Sequence, residues 1–184
     1  MYYAGTPSLQ IERKNEPINS VSINFRTFYG LLSVKEKRFL TYCANRNYDF
    51  IEQTAYDFSE ENASDINYFN YVSKWIMRKK KIFFNVDDWK DEVAKKQFSM
   101  GLRFHGNVVA LWNKIPALFF AIDSRTEELA SYFSLPYIRM EDFDDTKSIE
   151  YYYDLANYDN FNKKYSELYN RYEDFLKKNH ILSV

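Results

Sequence analysis

The chemistry-bearing stretch of this chain is the run Gly101-Leu102-Arg103-Phe104-His105-Gly106-Asn107. An arginine two residues before a histidine, with a glycine just after it, suits a small polyanion. The guanidinium forms two parallel charge-assisted hydrogen bonds to a carboxylate or phosphate, and a glycine lets the ligand come close to the backbone. His105 is the residue of this run that can exchange a proton near neutral pH. Two further polar runs have similar resources: Asn24-Phe25-Arg26-Thr27 and Asp123-Ser124-Arg125-Thr126. The candidate site is therefore His105 for proton transfer, with Arg103, Gly106, Asn107, Arg26, Ser124 and Arg125 for ligand binding.

These runs matter together only if the fold brings them to one edge. Short apolar segments alternate with segments of helical period, the pattern of β-α units feeding a parallel sheet, and so an α/β fold. Strands are expected at Val21 to Phe25, Tyr48 to Ala55, Ile82 to Asn85, Phe98 to Phe104, Ala117 to Ile122 after Pro116, and Tyr137 to Met140. Between them lie helices: Ser33 to about Arg46, with Ser33 and Glu36 as a capping box; Asp65 to Arg78; Asp87 to Lys96; His105 or Gly106 to Asn113; and one capped by Ser124 with Glu127 that stops at Leu135-Pro136. After Asp145 the pattern is helical only. It closes on an amphipathic stripe of Phe161, Tyr165, Leu168, Tyr172 and Phe175 or Leu176. In such a sheet ligands bind beyond the carboxyl ends of the strands, where helix N-termini present backbone N–H groups, and all three polar runs fall at such ends.

Composition narrows the function. The 184 residues carry 25 Lys plus Arg against 26 Asp plus Glu, a net charge of −1 that gives no sequence-wide reason to bind nucleic acid. The single cysteine, Cys43, excludes an internal disulfide and a Cys/His zinc grid. No apolar run is long enough for a transmembrane helix. Met1-Tyr2-Tyr3-Ala4-Gly5 lacks the basic-then-apolar order of a signal peptide, which predicts a cytoplasmic chain, with the inner membrane face as a peripheral alternative. No Walker loop or G-x-G-x-x-G fingerprint is present, so no nucleotide cofactor is indicated. Glu141, Asp142, Asp144 and Asp145 lack metal-ligand spacing, so no metal is expected.

Each candidate also has a plainer reading. By position alone, His105 is a hydrogen-bonding residue at a helix start, Arg125 solvates a helix face, and Asp123 caps a helix with Ser124. The run Lys74, Arg78, Lys79, Lys80, Lys81 complements a helix C-terminus rather than a lipid or phosphate. Trp75, Trp89 and Trp112 face a core, as do most of the 17 Tyr and 16 Phe. His180 has no role.

The ordered series Gly101 to Asn107, Val108 to Trp112, Ile115-Pro116-Ala117-Leu118-Phe119 and Asp123-Ser124-Arg125-Thr126-Glu127-Glu128-Leu129 resembles the C-terminal part of the polysaccharide pyruvyl transferase family. That family has R-x-H-G, then a helix, a Pro-initiated buried strand and often Asp-Ser-Arg-Thr-x-Glu-Leu. A fainter likeness runs upstream through Tyr48 to Thr54 and Val21 to Arg26 to Gly5-Thr6-Pro7-Ser8, which resembles the family's Gly-Cys-Pro-Ser segment near the domain junction.

The resemblance implies a Rossmann-like donor domain over residues 21–145, a lead-in over 1–20 and C-terminal helices over 146–184, with most of the family's N-terminal domain missing. It implies transfer of a pyruvate ketal from phosphoenolpyruvate to a sugar or glycan in exopolysaccharide, capsule or cell-wall synthesis, with no cofactor. His105 would be the acid, Arg103 with the helix start at Gly106-Asn107 the clamp, and Arg26 and Arg125 further donor contacts. One wall of the family's cleft would have to come from a complementing N-terminal domain chain, and the C-terminal helix would either cover surface that the missing domain otherwise shields or make a homodimer. Two other readings stand beside this one: a noncatalytic domain that binds anions or partners, and a nucleotide-sugar glycosyltransferase domain.

Overall fold

The computed structural model of the chain describes residues 7–25, 32–52 and 66–181, without the side chains of residues 66–69. Six strands form one wholly parallel sheet: β1 (Val21–Asn24), β2 (Asp49–Glu52), β3 (Lys80–Ile82), β4 (Phe98–Gly101), β5 (Ala117–Ala121) and β6 (Tyr137–Arg139). Their spatial order is β3-β2-β1-β4-β5-β6. The helices are α1 (Val34–Asn45), α2 (Ile66–Lys79), α3 (Val86–Val93), α4 (Phe104–Trp112), α5 (Ser124–Phe133), α6 (Ile149–Leu155) and α7 (Asp159–Lys178). This is a Rossmann-like α/β fold with a C-terminal helical extension.

The central strands β1, β4 and β5 are buried on both faces, which is why β5 reads as an unbroken apolar run, while β1 and β4 carry the buried polar residues Ser22, Asn24 and Ser99. Aromatic rings fill the layer between the sheet, α1 and α6. Phe39 lies 5.0 Å from Phe120 and meets Phe143 edge-on at 5.3 Å, while Phe143 stacks on Tyr152 at 5.4 Å. On the other face α7 lies over α4 and α5, burying Phe161, Tyr165 and Leu168. Leu9 and Ile11 of the lead-in join this core. The side chain of Asn162 pairs with Ile11 as a strand would, accepting from its N–H and donating to its carbonyl, both at 2.9 Å.

Several expected boundaries move, each for a local reason. β3 begins at Lys80, directly out of α2, and ends at Ile82 instead of starting there. Its register pairs Lys80 with Phe50, and Lys81 reaches Asp49 and Glu92, so an edge strand accommodates lysines whose charged ends lie at its rim. Phe84, expected within the strand, is 97 % exposed, and Asn85 is the N-cap of α3, accepting from the N–H of Asp88. β4 stops at Gly101, three residues early, because Asn24 intercepts the backbone there. Of the strand expected through Ala55, residues 53–55 lie outside the described residues. The C-terminal helices expected after Asp145 are α6 and α7, the second starting at Asp159.

Candidate functional site

The strand order reverses between β1 and β4, so the crevice at their carboxyl ends is the place where a sheet of this kind accepts a ligand. A buried amide network shapes its floor. Asn24, at the end of β1, donates through Nδ2 to Asn107 Oδ1 at 2.7 Å and accepts at Oδ1 from the backbone N–H of Arg103 at 2.9 Å. Ser99 donates to Asn107 Oδ1 at 3.0 Å. The Asn107 amide nitrogen donates to the carbonyls of Gly101 and Leu118, at 3.1 and 3.4 Å. One side chain thus ties the ends of β1 and β4 to the body of β5.

Gly101 makes this approach possible. Its φ is +151°, and a Cβ there would lie 1.8 Å from the Asn24 carbonyl oxygen. That same oxygen accepts from the N–H of Leu102 at 3.1 Å. The backbone turns away from the sheet at once, and α4 begins at Phe104 with Arg103 as its N-cap.

Arg103 provides no side-chain hydrogen bond to the cap. Its guanidinium lies across the end of β1 instead, with Nε donating to the Phe25 carbonyl at 3.4 Å. His105, the second residue of α4, is exposed, its ring 6.3 Å from that of Phe104. Gly106 is the third residue and is buried. The first turn of a helix carries N–H groups without intrahelical partners and a partial positive charge. At α1, α3, α5 and α6 a side chain caps this turn: Ser33, Asn85, Asp123 and Ser148. α4 thus combines an N-terminus without a side-chain cap, a cation at the cap position and an imidazole in its first turn.

The other predicted residues separate. Asn107 is fully buried with its amide engaged in the network, and its N–H bonds the Arg103 carbonyl at 3.3 Å. It lies beneath the start of α4 and positions the turn that carries Arg103. Ser124 and Arg125 are exposed at the start of α5, one strand along the same edge. Ser124 does not cap that helix. Asp123 does, accepting from the N–H and the hydroxyl of Thr126 at 2.8 and 2.7 Å, because its carboxylate reaches the third residue of the turn from an extended backbone. Arg26 lies outside the described residues.

Asn24, Ser99 and Gly101 organise the site and were not singled out as doing so by sequence reasoning. Their signal is faint: polar residues inside otherwise apolar strands, and one of only 4 glycines two residues before the Arg-x-His run. Glu52 was also missed. It ends β2 on the same sheet edge and is 2 % exposed.

Among the described residues, no group of His, Cys, Asp and Glu is arranged to hold a metal ion, and no helix is long and apolar enough to cross a membrane. No protein-family model matches the chain, and no curated protein matches it.

Proposed function

We propose that this chain is the donor-binding part of a pyruvyl transferase that moves a pyruvate ketal from phosphoenolpyruvate to a sugar in exopolysaccharide, capsule or cell-wall glycan synthesis. The observation that carries the reading is the start of α4: Arg103 at the cap and His105 in a first turn without a side-chain cap, at the point where the strand order reverses. The likeness of the Gly101 to Leu129 series to polysaccharide pyruvyl transferases supplies the choice of anion.

The residues meet the demands of the reaction. Phosphoenolpyruvate presents a carboxylate and a phosphate to Arg103 and the α4 N–H groups. His105, as imidazolium, donates its proton to the terminal enol carbon, leaving an oxocarbenium centre at the carbon that bears the phosphate. A sugar hydroxyl adds there and gives up its proton. Departure of phosphate recreates the cationic centre, and a second hydroxyl of the same sugar closes the ketal. Both additions need an acceptor held against the donor, so the opposite wall of the cleft belongs to a second domain or chain.

A calorimetric titration with phosphoenolpyruvate tests the first step. Binding that disappears in Arg103→Ala and survives in His105→Ala is expected, as is phosphate release with a sugar acceptor that His105→Ala abolishes. Binding of a nucleotide sugar in place of phosphoenolpyruvate would overturn the reading. Glu52 is the observation that favours that second reading, because a carboxylate at the end of β2 meets a ribose in dinucleotide sheets of this order. Its burial and the single glycine, Gly30, between β1 and α1 weigh against it.

A further inference from the structure

A hollow of about 390 Å³, open to solvent, lies on the same carboxyl edge, beyond β5 and β6. Ala121 and Met140, both buried, make an apolar floor. Lys35 of α1, Glu127 of α5, and Arg139 and Glu141 at the end of β6 stand around it. Arg139 holds both carboxylates in place, Nη2 to Glu127 at 3.0 Å and Nη1 to Glu141 at 3.3 Å. Lys35 is fixed by its bond to the Phe143 carbonyl at 2.7 Å. Glu36, also in the lining, accepts from the N–H of Ser33 in the α1 capping box.

The charge balance selects the ligand. Lys35 and Arg139 face Glu127 and Glu141, a balanced rim with no net positive charge to draw in phosphate or carboxylate ligands, unlike the start of α4. What remains is an apolar floor bordered by alternating fixed acceptors and donors, in a volume ordinary for small-molecule sites. A polyhydroxylated ring matches that pattern: its C–H face rests on the floor while its hydroxyls donate to carboxylates and accept from the cations. Because the charged groups already hold one another, little ordering is lost on binding.

We infer that this hollow binds a neutral sugar ring. This binding stands apart from the proposed pyruvyl transfer, whose acceptor has to meet the donor at the start of α4.

Saturation-transfer NMR on the full chain with methyl glucoside, methyl galactoside and methyl mannoside at tens of millimolar provides the test. At least one pyranoside is expected to give saturable transfer, weakened about tenfold in Glu127→Gln and in Arg139→Met. Ile122 also lines the hollow at the protein surface, and Ile122→Trp, which narrows it without removing a polar group, weakens transfer likewise. Arg139 is more than half exposed, so its replacement leaves the fold standing. No transfer from any pyranoside, transfer unchanged in all three variants, or tighter binding of glucuronate or inorganic phosphate at these residues would each overturn the inference. Phosphoenolpyruvate titrated into the same samples separates the two proposals: sugar binding without donor binding supports the hollow and removes the pyruvyl-transfer reading.

Discussion

Asn24 Oδ1 accepts the backbone N–H of Arg103 at 2.9 Å, across 79 residues of sequence, and so the end of β1 decides where α4 begins. The side chain that fixes the Arg103 backbone belongs to the strand on the far side of the reversal in strand order. The two halves of the sheet are joined at the point where a ligand would sit.

Gly101 is the tightest element of that joint. A Cβ at 1.8 Å from the Asn24 carbonyl cannot be relieved by a rotamer change, because the opposing atom is backbone, and φ +151° is itself costly for any other residue. Gly101→Ala is expected to destabilise the protein by about 3 kcal/mol or more, read as a lowered urea midpoint with unchanged slope. Loss of under 0.5 kcal/mol would show that β1 and β4 do not meet as described.

Asn107 tests whether the network or the ligand needs that side chain. Replacement by Leu takes the Asn107 partner from the carbonyls of Gly101 and Leu118 and leaves the Asn24 amide only the Ser99 hydroxyl at 3.4 Å, all in a buried setting. The expected loss is about 3 kcal/mol, and Asn107→Asp, which keeps the acceptor but not the donor, should also destabilise. If Asn107→Leu folded with wild-type stability and lost only anion binding, its place would be in the clamp after all.

The parallel sheet, its helices and the anion-suited run could be read from apolar periodicity and residue type, because both are local. What could not be read depends on partners far along the chain. Nothing near Asn24 says that its amide will meet Asn107, and nothing near Gly101 says that it must pass against Asn24. The apolar weight of Ile82, Phe83 and Phe84 shifts the expected β3 two residues late, whereas pairing with Phe50 and the rim carboxylates selects Lys80 and Lys81. Asp123 and Ser124 are adjacent capping residue types, and only backbone geometry separates them.

That last distinction can be measured. Asp123 accepts two hydrogen bonds from Thr126 and carries a negative charge at the α5 N-terminus, so Asp123→Ala should cost about 1 kcal/mol in unfolding experiments. Ser124 is exposed in the first turn, and Ser124→Ala should stay within about 0.5 kcal/mol. The opposite ranking would return the cap to Ser124.

At the amino edge of the sheet, Asp49 and Glu92 share Lys81 and Lys96, with Lys79 and Lys95 at their margins. Burial alone would raise both carboxyl groups. Hydrogen bonds and charge from Lys96 and Lys81 at Asp49, and from Lys81, Lys95 and Lys96 at Glu92, outweigh it and hold each down at about 2. A carboxylate depressed in the folded state binds protons more readily when unfolded. Its stabilisation is therefore complete above the ordinary carboxylate range and is lost as pH falls from about 4.5 towards 2. Allowing for solvent at these partly exposed groups, each contributes about 1 kcal/mol at neutral pH. Urea unfolding between pH 6 and pH 2 should show this acid limb, and Asp49→Asn should be less stable at pH 6 yet lose less than the wild-type chain on acidification. Parallel pH curves for the two proteins would mean that the lysines do not hold Asp49 ionised.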